Sequence, residues 1–156
     1  MYEDRIERAV ENFKKGYNCT QSVVEAFADL YGIDTDVALR MAASFGGGIG
    51  RMRLTCGTAS GMFLLAGLET GVTDPTDRAG KGANYAVVQQ LAAEFKEALG
   101  SIVCADLLGL NRNAPTPPTP EARTAEYYRK RPCPEIVRTA ATIYAHFLES
   151  RRKDQQ

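Results

Sequence analysis

The chain has 156 residues, 19 of them basic and 19 acidic, and a formal net charge of zero. That length is the size of one domain with a sizeable core, and the charge balance excludes both the basic excess of a nucleic-acid binder and an acidic solvating tail. The longest apolar run near the middle, residues 62–68, falls far short of the roughly 20 residues that span a bilayer, so no membrane insertion is expected. The first residues, Met1-Tyr2-Glu3-Asp4-Arg5, are acidic and polar where a secretory leader is basic and then apolar. A cytoplasmic protein is therefore the expectation. In a reducing compartment its four cysteines are expected as metal-binding or redox groups rather than structural disulfides.

Residues 4–15 read as an amphipathic helix with Ile6, Ala9, Val10 and Phe13 on its apolar stripe and Gly16 as its stop. Asn18 is an N-cap for a second helix, Cys19 to about Tyr31, followed by Gly32. Asp34 caps a third, with Val37, Ala38, Met41 and Ala42 facing inward, which runs to about Ser44. Thr55 then caps a central helix that begins at Cys56 and ends near Glu69, with Ser60, Phe63 and Gly67 on the inner face. The longest helix runs from Thr76 or Asp77 to Leu99, with Tyr85, Val88, Leu91, Ala92, Phe95 and Leu99 as its stripe. Gly80-Lys81-Gly82 in its first turns lacks the spacing and the preceding strand of a phosphate-binding loop. Ser101 caps a short helix over 102–108, with Cys104 at its third position. Residues 113–120, Asn-Ala-Pro-Thr-Pro-Pro-Thr-Pro, read as an extended, mobile surface loop. A short helix over 121–130 precedes the last one, which starts at Cys133-Pro134 and carries Ile136, Val137, Ala140, Ile143, Tyr144 and Phe147 to about Ser150. His146 lies off that stripe and reads as a surface residue. No strand pattern is present. The fold class is all-α: one domain over 1–156, a bundle of about six to seven helices with a glycine-rich connection before the central cysteine helix.

That connection, Phe45 to Gly61, is the most distinctive stretch. Gly46, Gly47, Gly48 and Gly50 supply positive φ or close backbone approach. With Arg51 and Arg53 beside them, their N–H groups are candidates to hold an anion or a cofactor phosphate, although a tight connection between packed helices is the simpler explanation of the run. Gly57 and Gly61 lie one helical turn apart. Each costs roughly 1 kcal/mol against Ala, which makes sense if another backbone or a group on sulfur approaches that face, or if helices pack there through small residues.

The cysteines, Cys19, Cys56, Cys104 and Cys133, form no C-x-x-C pair. Each is assigned independently to the first turn of a helix, where unpaired N–H groups and the helix dipole favour a thiolate. The alternative is that they are inert core residues. Cys56, with the glycine run and two arginines nearby, is expected to be the most acidic thiol and to meet Cys19 in the fold, with Cys104 or Cys133 close by. Four cysteines allow three pairings, which sequence does not decide.

Tyr17-Asn18-Cys19-Thr20-Gln21-Ser22-Val23, Gly46-Gly47-Gly48-Ile49-Gly50-Arg51, Cys56-Gly57-Thr58-Ala59-Ser60-Gly61 and the lone Cys104 and Cys133 together resemble the C_GCAxxG_C_C family, small bacterial and archaeal proteins described as redox-active. The likeness runs from about Tyr17 to about Val137. The family label spells Gly-Cys-Ala where this chain has Cys56-Gly57-Thr58, so Thr58 places a hydroxyl beside the central cysteine. The resemblance implies that Cys19, Cys56, Cys104 and Cys133 are the family's four characteristic cysteines. Three functions compete. One is a redox protein, a thiol-based oxidoreductase among its forms, that cycles thiols and disulfide or holds an iron–sulfur or other metal centre and meets an electron donor, acceptor or small molecule. Another is a four-thiolate zinc site. The third is a helical interaction module with incidental cysteines. A homodimer that buries one apolar stripe is compatible with each.

Overall fold

Polar side chains open several of the helices. In the computed structural model, which describes residues 1–155, Asn18 and Gln21 exchange hydrogen bonds: the Asn18 side chain accepts from the Gln21 N–H at 2.8 Å and the Gln21 side chain from the Asn18 N–H at 3.0 Å. Asp34, Asp77 and Thr124 cap three further helices in the same way. Gly32 and Gly100 close their helices in the left-handed conformation, at φ 68° and 92°. Among the described residues the chain forms α1 (Glu3–Lys14), α2 (Cys19–Ala28), α3 (Thr35–Ala42), α4 (Gly57–Thr70), α5 (Arg78–Leu99), α6 (Cys104–Leu107), α7 (Ala125–Lys130) and α8 (Cys133–Asp154), and no strand. The all-α expectation holds. The helix count is above six to seven because α6 and α7 are pieces of 4 and 6 residues. None of the helices is long and apolar enough to cross a membrane.

Five helices enclose the core. α2 packs on α1, α3 and α4, α5 lies on α4, and α8 closes the ring against α1 and α5 while touching α2 and α4. Phe13, Phe27, Met62, Leu65, Leu91, Phe95, Tyr144 and Leu148 are fully buried at its centre. Phe27 and Tyr144 meet edge to face, with ring centroids 5.0 Å apart.

Several inward assignments are corrected. On α3 only Ala38 and Ala42 are buried, while Val37 and Met41 are 45% and 48% exposed. α3 packs mainly on α2, so a narrow stripe of small residues covers all that it buries. On α5, Asn84 turns to α4 and donates to Thr70 Oγ1 at 2.8 Å. Tyr85 is about 100° further round the helix and is left outside. On α4 the buried line runs through Ala59, Met62, Leu65 and Ala66, so Gly67 faces solvent.

Candidate functional site

All four cysteines stand at a helix start, as the sequence suggests. Cys19, Cys104 and Cys133 are the first residues of α2, α6 and α8, and Cys56 is the N-cap of α4. The expected caps at two of them are displaced. Thr55 makes an isolated antiparallel bridge with Val103 instead of capping α4. Ser101 accepts from the Val103 N–H at 3.0 Å and hydrogen-bonds Asp106 at 2.8 Å, which leaves Val103 as the N-cap of α6. The bridge joins two of the cysteine segments. Cys56 N–H donates to the Ile102 carbonyl and Cys104 N–H to the Leu54 carbonyl, both at 2.6 Å.

The four thiols line one cavity of about 580 Å³. Beside it, two missing side chains let α2 cross close to α4. A Cβ at Gly57 would collide with Cys19 Sγ and lie 2.5 Å from Thr20 Oγ1, and one at Gly61 would lie 3.1 Å from Val23 Cβ. The close approach expected at these glycines is therefore α2 crossing α4, and at Gly57 it also seats a sulfur. Gly61 packs against Val23 and is not part of the cavity wall.

The glycine run winds the wrong way for L-residues. Gly47, Gly48, Ile49, Gly50 and Arg51 all have φ between 56° and 74°, and Arg53 has φ 61°. For Ile49, Arg51 and Arg53 this conformation costs about 1 kcal/mol or more each. The loop answers with bonds of its own: the N–H groups of Ile49, Gly50, Arg51, Arg53 and Leu54 donate to the carbonyls of Phe45, Ser44, Gly46, Gly47 and Gly48. Gly46 lies against Asn18 and Gly48 against Cys104, where a Cβ would sit 2.5 Å from Asn18 Cγ and 2.6 Å from Cys104 Cβ. Gly46, Gly47, Gly50 and Arg51 reach the cavity wall.

The electrostatics overturn one expectation. Cys56 is 5% exposed. Burial, with the neighbouring Cys19 as a second cause, pushes its thiol up to about 12 despite hydrogen bonds from Thr58 and Ala59. Burial likewise raises Cys133 to about 11, again with Cys19 next in effect. Cys56 is thus not the most acidic thiol, because loss of water outweighs the field of one helix end. The arginines also serve other groups. Arg53 Nη1 lies 3.8 Å from Cys104 Sγ, where it opposes the rise that burial imposes on that thiol. Arg51 Nη1 donates to the carbonyls of Pro117, at 2.6 Å, and Thr119. This ties the proline-rich segment, expected as a free loop, to the rim, with Pro118 and Pro120 on the wall.

Sequence reading missed Arg123, Tyr127 and Arg131. Arg123 lies 4.2 Å over the Phe13 ring and donates to the carbonyls of Phe13, at 2.8 Å, and Tyr17, at 3.0 Å. Arg131 pairs with Glu121 and sits 5.6 Å over Tyr127. Their spacing of four residues, basic-aromatic-basic, is the one signal that could have marked a common face. Beneath the wall, Thr20 Oγ1 is buried with no hydrogen-bond partner among the described residues. No three His, Cys, Asp or Glu side chains among those residues converge closely enough to hold a metal ion. The sulfurs line the cavity without meeting at a point, so the donor set does not fit a metal centre or cluster.

Fold and site define a small all-helical protein built around a cavity of four free thiols. The chain belongs to the C_GCAxxG_C_C family: the family model described as "Putative redox-active protein (C_GCAxxG_C_C)" matches residues 17–147. Comparison with curated proteins and with solved structures gave no match.

Proposed function

We propose that the chain is a thiol–disulfide redox protein in which Cys19 is the attacking thiol and Cys56 the resolving one. The carrying observation is the placement of all four cysteines on the wall of one cavity. After burial, charge on Cys19 contributes to the raised pKa of Cys56, Cys133 and Cys104, so it neighbours all three. Cys19 is half-buried at the start of a capped helix, so its sulfur is open to a molecule in the cavity. Cys56 is buried beside it, shielded from competing thiols, which suits a resolving role.

In this reading a substrate disulfide accepts two electrons. Cys19 forms the mixed disulfide, Cys56 displaces the second substrate thiol, and a Cys19–Cys56 disulfide remains. The four-thiolate zinc reading draws no support from donors that do not converge. The experiment is trapping. The reduced C56S variant, exposed to a disulfide, is expected to accumulate a mixed disulfide at Cys19 by peptide mass spectrometry. The wild type is expected to lose two thiols without an adduct. Retention of all thiols by the wild type in excess disulfide, or unchanged behaviour of C19S, would overturn the reading.

A further inference from the structure

The cavity is charged although the chain is neutral. Arg51, Arg53, Arg123 and Arg131 line it against one carboxylate, Glu121. Three of these cations are engaged: Arg131 with Glu121, Arg51 with the Pro117 and Thr119 carbonyls, and Arg123 with the Phe13 and Tyr17 carbonyls. Arg53 differs. Among the described residues it meets no carboxylate within ion-pair distance, and its one side-chain hydrogen bond is the 3.8 Å approach to Cys104 Sγ. Its backbone is held at φ 61° by a bond from its N–H to the Gly47 carbonyl, and Ala105 N–H donates to its own carbonyl. The left-handed loop thus carries a guanidinium with no carboxylate partner to the edge of the thiol cluster.

Size completes the argument. A volume of about 580 Å³ is that of a small-molecule pocket. Cys56 and Cys104, at 5% and 7% exposure, lie on its wall. We propose that the substrate is a small organic disulfide that bears a carboxylate, with the carboxylate on Arg53 and the sulfurs facing Cys19. This rests on the thiol–disulfide reading and names its substrate class.

The step balances. Cys19 thiolate attacks one ligand sulfur, the ligand S–S bond breaks, a mixed disulfide forms, and a carboxylate-bearing thiolate leaves and takes up a proton. Cys56 gives up its proton and attacks Cys19 sulfur, which releases the second ligand thiol. The ligand gains two electrons and the Cys19–Cys56 pair loses them.

The test pairs two disulfides of similar size, dithiodipropionate and the neutral bis(hydroxyethyl) disulfide, with suberate as the carbon analogue that has no S–S bond. Reduced wild type is expected to react with dithiodipropionate at least about tenfold faster than with the neutral disulfide, the scale of one charge-assisted hydrogen bond. R53Q should lose that preference and R53K should keep most of it, which guards against a variant that merely unfolds. Suberate is expected to bind reduced wild type, by calorimetry, and to bind R53Q at least about tenfold more weakly. Equal rates for the two disulfides, or suberate binding indifferent to Arg53, would overturn the proposal. Arg53-dependent suberate binding without reaction of either disulfide would leave the carboxylate site standing, overturn the disulfide as its substrate and sink the redox reading itself.

Discussion

α2, α4 and α8 begin at the thiol cavity and run toward a second polar cluster, and the two ends are built on opposite terms. At the far end Glu69 accepts from Tyr31 Oη at 3.0 Å, Arg151 Nε at 3.0 Å and Arg152 Nη2 at 3.3 Å, and the Tyr31 and Tyr144 hydroxyls meet at 2.5 Å. Burial works to raise the Glu69 carboxyl, but the bonds from Arg152, Tyr31 and Arg151 together hold it below the usual range. The arginines also sit where the last turn of α8 favours cations. At the cavity end, among the described residues, Thr20 Oγ1 has no hydrogen-bond partner, three non-glycine residues adopt left-handed backbone, and the thiols share a cavity with Arg53, which meets no carboxylate. Stability is concentrated where every polar group is paired, and reactivity where some are left open.

The sharpest way to break this contrast is to unpair the closed end. Glu69→Ala is expected to cost about 2–3 kcal/mol by denaturant unfolding, less than a fully buried pair because both arginines are about a third exposed. Thiol exchange at the other end should survive in the folded fraction. The sign of the pH effect follows from the depressed folded pKa: Glu69 stabilises above its unfolded value near 4.5, and that contribution is lost as acid takes pH through the folded value.

Gly57→Ala attacks the open end. Its Cβ would strike Cys19 Sγ and stand 3.2 Å from the Phe45 carbonyl, so a net loss of about 1–2 kcal/mol is expected despite the gain in helix propensity. The rate of Cys19 alkylation should change with it. A variant that is simply more stable, with unchanged alkylation, would show that the seat at Gly57 is loose.

Alkali should test the open end as acid tests the closed one. The folded Cys56 thiol is raised, so the unfolded chain ionises first. Cys56 should contribute a fall of about 1.4 kcal/mol per pH unit from near 9, the ordinary thiol value, to about 12, on top of the losses from Cys133 and Cys104, whose thiols are raised as well. Cys56→Ser should flatten that slope. The smallest effect is expected from Ile49→Gly, which relieves the left-handed strain at φ 66° but removes a half-buried side chain, for a net gain below about 1 kcal/mol.

Much of this was legible in the chain. Asn18, Asp34 and Asp77 announce their helices, Gly32 and Gly100 end theirs, and the four cysteines fall at helix starts, although a side-chain cap is made only at the one that Cys19 begins. The acidity of Cys56 was not legible. It depends on water excluded by α2, which approaches only because Gly57 lacks a side chain. The roles of Arg53, Arg123 and Arg131 were equally hidden: their partners at Cys104, Phe13 and Glu121 are set by tertiary packing, and periodicity reports only which face of a helix is apolar.

The bridge of Thr55 with Val103 looks like ornament, yet it dates the cavity. As the chain is synthesised, α2 and α4 can dock once residue 70 has emerged, which brings Cys19 to Gly57.

 The wall that carries Cys104 must wait for residues 102–104 to pair with 54–56, and Cys133 and the arginines near it come later still. The segments that bring Cys19 to Gly57 therefore precede in the chain all those that complete the pocket around them.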